Sequence, residues 1–281
     1  MAMNRASFAK LLEPGLNTLF GLEYDSYPSE YEAVFSSNTS QKAYEEDVLL
    51  AGFGAAPTKN EGASVSYDDA GQQWTARYQH ETVALAFSIT EEAEEDGQYG
   101  SIASRYTKAL ARSMSSTKEI KAANVLNNAT SANGGDGTTL LSTSHPTQNG
   151  NQSNTLATAA DLSETSLESI LIQIADMKDE RGLRVAAQGT QLIIPTAYTF
   201  VAERLLESQL RTGTADNDIN AIKSGGYLPK GYHVMRRLTD ADQFFVQTDV
   251  PDGLKYFTRS AMRKGMEGDF ETGNIRYKCR E

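Results

Sequence analysis

The chain has 281 residues, 39% of them hydrophobic, enough for one large domain or two ordinary ones. No apolar run approaches the roughly 20 residues of a membrane span, and MAMNRASFAKLLEPGL lacks the apolar block of a signal peptide, so synthesis in the cytosol is the expectation. The lone cysteine excludes an internal disulfide, and 37 acidic against 26 basic residues leave a net charge of −11, the wrong sign for gripping nucleic acid along a basic surface, although Arg259, Arg263, Lys264, Arg276, Lys278 and Arg280 crowd the C-terminus.

Residues 1–52 read as an irregular segment with short helical pieces, broken at Pro14-Gly15 and carrying aromatics at Tyr24, Tyr27, Tyr31 and Phe35 that need another surface to pack on. After a linker around Gly52, Gly54 and Pro57, Val65 and Tyr67 alternate before Asp68-Asp69-Ala70-Gly71, and Trp74, Ala76, Tyr78 and His80 alternate after it. That pattern predicts a protruding hairpin over 60–82 with its turn at 68–71, followed by a strand at Val83, Leu85, Phe87 and Ile89. A two-stranded ribbon is marginal in water and wants a partner surface.

The acidic run TEEAEED then precedes a proline-free stretch from Tyr99 to Asn128, read as one long helix of roughly 45 Å. Its inward stripe is expected at Ile102, Tyr106, Ala109, Ser113, Thr117, Ile120 and Asn124, widened by Leu110, Met114, Val125 and Leu126. Residues 129–155 are glycine loop and extended coil, with a short strand anchored by Leu140-Leu141. A second helix is expected over 161–178, started by an Asp161/Glu164 capping box, then a strand over 191–194. A third helix is expected over 196–210 with Phe200, Val201, Leu205 and Leu206 inward, then a polar loop over 212–226. Strands at 232–236, 244–248, 254–259 and 274–280 complete a mixed α+β order that is not a regular βαβ series.

No constellation for chemistry emerges. Asp216-Asn217-Asp218-Ile219-Asn220 imitates a calcium loop but has Ala221 and Tyr227 where glycine and glutamate belong. His80, His145 and His233 are far apart, Gly134-Gly135-Asp136-Gly137 lacks the lysine of a phosphate loop, and Cys279 reads as a small buried side chain. No cofactor and no metal are expected.

The order of parts resembles the tailed-bacteriophage major capsid proteins of the Hong Kong phage fold. The stretches VSYDDAGQQWTARYQHETVALAFSITEEAEEDGQYG, SHPTQNGNQSNTLATAADLSETSLE, TGTADNDINAIKSGGYLPKGY and PDGLKYFTRSAMRKGMEGDFETGNIRYKCRE resemble the Mu-like head subunits. The resemblance implies an N-terminal arm over 1–52, an extension loop over 53–90, and a peripheral domain with the spine helix over 91–155. It further implies an axial domain over 156–246 and C-terminal strands of the peripheral domain over 247–281. It implies hexamers and pentamers of this chain forming an icosahedral head around double-stranded DNA without sequence-specific contacts. Scaffold, portal and decoration proteins would be partners, with no membrane and no enzymatic activity. An encapsulin-like nanocompartment shell, or a soluble hydrolase using His145 and a nearby acid, are the alternatives. Intersubunit contacts are expected from Trp74 and Tyr78 of the hairpin, and from Arg211 or Lys223 reaching Asp216 and Asp218 of the next copy around the capsomer axis, where like charges would otherwise repel.

Overall fold

The computed structural model describes residues 6–90, 99–211, 218–269 and 271–281. The long helix expected from sequence organises it. This helix, Tyr99–Asn127, has 29 residues and a length of roughly 43 Å. Two hydrophobic cores form along it. Ala103, Leu110, Ala111 and Met114 meet Leu16, Phe20, Ile89, Ile275, Tyr277 and Cys279. Further on, Ala122, Ala123 and Leu126 meet Tyr31, Val34, Phe35, Ile193 and Met235. In the first half the buried face differs from the expected one. Leu110 and Met114, expected at the edge of the stripe, are buried together with Ala103 and Thr107, whereas Tyr106 and Ala109 face outward, as do Ile120 and Asn124 in the second half. The first-half stripe is thus turned by one residue, about 100°, toward its Leu110 and Met114 edge. Alanines at 103, 111, 122 and 123 let neighbouring elements approach closely, so small residues rather than the bulkiest ones mark the packed side.

The first of those neighbours corrects the reading of the N-terminal segment. Ala6–Asp25 is a single 20-residue helix, α1, with Pro14 inside it. Leu16 and Phe20 lock it against the spine, α2, so tertiary packing carries the helix through a residue that propensity alone treats as a break. A 3-10 turn at Tyr31–Ala33 follows. Its backbone N–H groups at Glu30 and Tyr31 donate to the buried Glu119 carboxylate of α2 at 2.8 and 3.2 Å. Burial pushes the Glu119 carboxyl up despite those two bonds.

Strand β1 (Ser36–Thr39) pairs in parallel with β10 (Lys255–Thr258). The hairpin also differs from expectation. Strand β3 (Gly71–Gln79) pairs not with 65–67 but with β2 (Tyr44–Ala51), antiparallel from Tyr44↔Gln79 to Ala51↔Gly71. Residues 52–70 are therefore its connecting loop. Strand β4 (Ala84–Ile89) joins β12 (Ile275–Arg280) and β11 (Arg263–Gly268) in the three-stranded sheet β11-β12-β4. Buried and exposed residues alternate strictly along β12, with Ile275, Tyr277 and Cys279 on the core side.

After the spine, β5 (His145–Thr147) and β6 (Gly150–Gln152) form a small hairpin, and no strand forms at Leu140-Leu141, which lie in bends. Helix α3 is Glu164–Ala175, and its capping box is made by Ser163 and Ser166 rather than Asp161 and Glu164. A three-stranded sheet places β7 (Gly189–Ile194) between β8 (Tyr232–Val234), parallel, and β9 (Phe245–Thr248), antiparallel. The third expected helix is shorter, a 3-10 turn Thr196–Tyr198 leading into α4, Thr199–Glu207. Ala202 and Leu206 face the third core with Leu167, Leu192 and Ile194, whereas Phe200, expected inward, is 76% exposed. The polar stretch contains one helical turn, α5 (Ala221–Gly225), with Ile222 buried beneath it.

Candidate assembly surfaces

The hairpin is anchored at its base and tied back once near its tip. Tyr78 packs tilted against Phe257 of β10 with ring centres 5.0 Å apart, and Asp47 holds Lys255 at 2.8 Å. Further out, Trp74 lies flat against Gly135 in the loop after α2, where an added Cβ would sit 2.4 Å from a ring carbon. Glycine is therefore the residue that lets the hairpin lie down on this loop. Trp74 and Tyr78 are half-buried within their own chain, so both serve subunit packing, whatever a neighbour adds. The opposite face of β2 presents Tyr44, Val48 and Leu50, and the loop adds Phe53, Val65 and Tyr67. Leu50 is 71% and Tyr67 97% exposed. The loop is tied back at Asp68, whose carboxylate accepts from the Gly54 N–H at 2.8 Å and from the Arg181 guanidinium. Those two bonds hold the carboxyl below the usual aspartate range.

At the far end of the molecule, Asn220 caps α5 by accepting from the N–H groups of Ile222 and Lys223 at 3.1 and 3.3 Å. Its amide donates back to the carbonyls of Leu205 and Ser208. Both cations proposed from sequence have partners in their own chain. Arg211 meets Glu164 at 2.8 Å and Lys223 meets Glu207 at 3.3 Å. Asp218 is exposed, and its backbone carbonyl accepts from the Arg211 N–H. Asp216 lies outside the described residues, as does the acidic run at 91–96.

His145 does have a nearby acid. Its Nδ1 lies 2.6 Å from an Asp136 carboxylate oxygen, and the Thr138 hydroxyl donates to the same oxygen at 2.7 Å. Burial alone would raise the Asp136 carboxyl, but hydrogen bonds from His145 and Thr138 outweigh it and hold the group below the usual aspartate range. The other ring nitrogen, Nε2, is buried without a hydrogen-bond partner. A serine or cysteine nucleophile would have to face that atom, and among the described residues none does. The cluster braces the loop that seats Trp74. Burial pushes the Cys279 thiol up to about 11, which makes it a packing group rather than a nucleophile. Among the described residues no group of three or more His, Cys, Asp and Glu could hold a metal ion, and no helix is long and apolar enough to cross a membrane.

A hairpin seated at the base of a long helix, flanked by an outer sheet and a separate three-stranded block, is the fold of the tailed-phage major capsid proteins of the Hong Kong phage type. The capsid of bacteriophage JBD30 superposes with a TM-score of 0.58 at 13% identity, over 76% of this chain and 92% of that one. The capsid of Myoviridae phage XM1 gives 0.53 at 9%, over 88% and 83%. A virus-like particle from Pyrococcus furiosus gives 0.53 at 12%, over 95% and 91%. No curated protein matches in sequence. The model of the phage capsid protein family matches residues 72–281, and the chain belongs to that family. It is accordingly a structural capsid protein. None of the six residues proposed from sequence as intersubunit contacts is tested by a single chain, and the hairpin's apolar face on β2 was missed. Its signal, Val48 and Leu50 in alternation after Tyr44, was hidden by three consecutive acids.

Proposed function

We propose that this chain is the major head subunit of a tailed phage of the Mu-like group, assembling as hexamers and pentamers into an icosahedral shell around double-stranded DNA. The observation that carries the reading is a set of large apolar side chains exposed in a single subunit, Tyr44, Val48 and Leu50 on β2 beside the Glu46–Arg77 ion pair, and Phe53, Val65 and Tyr67 in the loop that follows. Large exposed apolar patches mark interaction surfaces, and a second copy is the natural cover in a family of shell subunits. In domain terms, residues 1–52 are the arm, 53–90 the extension loop, and 91–155 with 247–281 the peripheral domain, with β2 (Tyr44–Ala51) of the arm segment paired to β3 of the loop. Residues 156–246 serve as the axial domain, with 212–226 at the capsomer axis. Scaffold and portal proteins complete the partner set, with a decoration protein among them, as minor capsid protein trimers decorate the JBD30 capsid. The net charge of −11 suits a wall that does not immobilise packed DNA.

The likeness to the virus-like particle of Pyrococcus furiosus, over 95% of this chain, keeps a nanocompartment as the second reading. Contents separate the two. Particles purified from a lysogen and treated with nuclease should retain protected double-stranded DNA. Particles filled with folded enzyme and free of DNA would favour the compartment.

A further inference from the structure

A cavity of about 850 Å³ opens where the chain bends from β3 into β4. Six cations line it, namely Lys118 and Lys121 of the spine, Lys255, and Arg259, Arg263 and Arg280 around the end of the outer sheet. The lysines are committed. Lys118 pairs with Glu281, Lys121 with Glu81, and Lys255 with Asp47 and Asp252, both at 2.8 Å. Arg259, Arg263 and Arg280 are exposed and have no ion-pair partner among the described residues. Arg263 and Arg280 are moreover direct cross-strand neighbours, an arrangement of like charges that disfavours the sheet until an anion sits between them. A chain of net charge −11 thus keeps three unbalanced arginines at the mouth of one cavity.

We propose that this pocket receives the acidic run Glu91, Glu92, Glu94, Glu95 and Asp96 of a second copy of the chain, an inference that rests on the assembly reading above. No other stretch of the sequence carries carboxylates so densely. A DNA duplex is too wide for a cavity of this volume, whereas an extended peptide fits it. The subunit's own run is tethered at the wrong end. Ala84 pairs with Arg280 at the mouth, and Ile89 pairs with Ile275 at the far end of the sheet, roughly 17 Å away. Tyr99, where the spine begins, is likewise roughly 22 Å of helix from Met114 in the cavity wall. A backbone path from Ile89 to the mouth and back to Tyr99 is roughly 39 Å against the roughly 36 Å that ten residue steps can span, so within one subunit the run would have to be stretched to its limit. A neighbour's run has no such tether. A pocket on one copy filled by a different segment of the next is a head-to-tail contact, the kind that closes into rings when the rotation allows.

The test is a charge swap in the full-length chain, read by shell yield in sedimentation and by subunit melting. Arg263→Glu with Arg280→Glu, and separately Glu94→Lys with Glu95→Lys, should each cut shell yield by about tenfold or more without shifting the melting temperature. The chain carrying all four changes should recover most of the yield. A peptide TEEAEEDG should bind dissociated wild-type subunits at least about tenfold more tightly than the arginine variant. Normal assembly of both double variants, failure of the fourfold variant to recover, or peptide binding indifferent to the arginines overturns the pocket's role. Shells of the arginine variant that assemble but lose DNA would reassign it to phosphates. A wild type that forms no shell at all defeats the assembly reading, and the peptide arm still decides the pocket.

Discussion

Trp74 and Gly135 form one unit, because the ring occupies the space a side chain at 135 would need. Truncating Trp74 to alanine should destabilise the isolated subunit by about 2 kcal/mol, less than a fully buried tryptophan costs. Gly135→Val should do similar damage, since the displaced ring and its strand must move. Denaturant unfolding of subunits held below the assembly concentration measures both. Unchanged subunit stability would mean that Trp74 serves a neighbour alone. Beneath this contact, Asp136 gives a pH signature. Its folded value is lowered, so its contribution is present above the ordinary aspartate range and fades as pH falls through that lowered value. Asp136→Asn should therefore melt lower than wild type near neutrality, and the gap should close as the pH falls through that lowered value. A gap that widens in acid would contradict the assignment.

Elements were legible in the sequence where the signal was local. The spine announced itself through a proline-free stretch, and its ends matched to within a residue. The alternation of Trp74, Ala76 and Tyr78 likewise became β3. What failed was non-local. β2 reads as YEEDVLLA, three acids and then contiguous apolar residues, and its pairing across residues 52–70 leaves no trace within a sequence window. The parallel pairing of β1 with β10 joins residues more than 200 positions apart, beyond any periodicity argument. α1 was misjudged because Pro14 outweighs its neighbours until the spine is there to hold Leu16 and Phe20. The six interface residues are not tested by a single chain, in which Arg211 and Lys223 have carboxylate partners of their own. That outcome sharpens the prediction for the axial end. The Lys223–Glu207 pair is exposed, and such pairs contribute about 0–1 kcal/mol. Lys223→Glu should leave subunit melting nearly unchanged while reducing capsomer formation, and Asp218→Lys in the same chain should partly restore it. Capsomers formed normally by Lys223→Glu would make the segment a solvated surface.

At the scale of the molecule, two cores threaded by one helix make a rigid body from which an apolar-faced ribbon emerges. The ribbon's loop is tied to the rest of its subunit chiefly by the Asp68–Arg181 pair, so deleting residues 53–69 should spare subunit folding and stop assembly. The central claim is that the exposed face of β2 is buried by a second copy. Cryo-electron microscopy of particles formed by the expressed chain tests it most directly. The account predicts closed icosahedral shells in which Val48, Leu50 and Tyr67 of every subunit lie against a neighbour. A chain that stays monomeric at high concentration, or shells in which that face remains open to solvent, would contradict it.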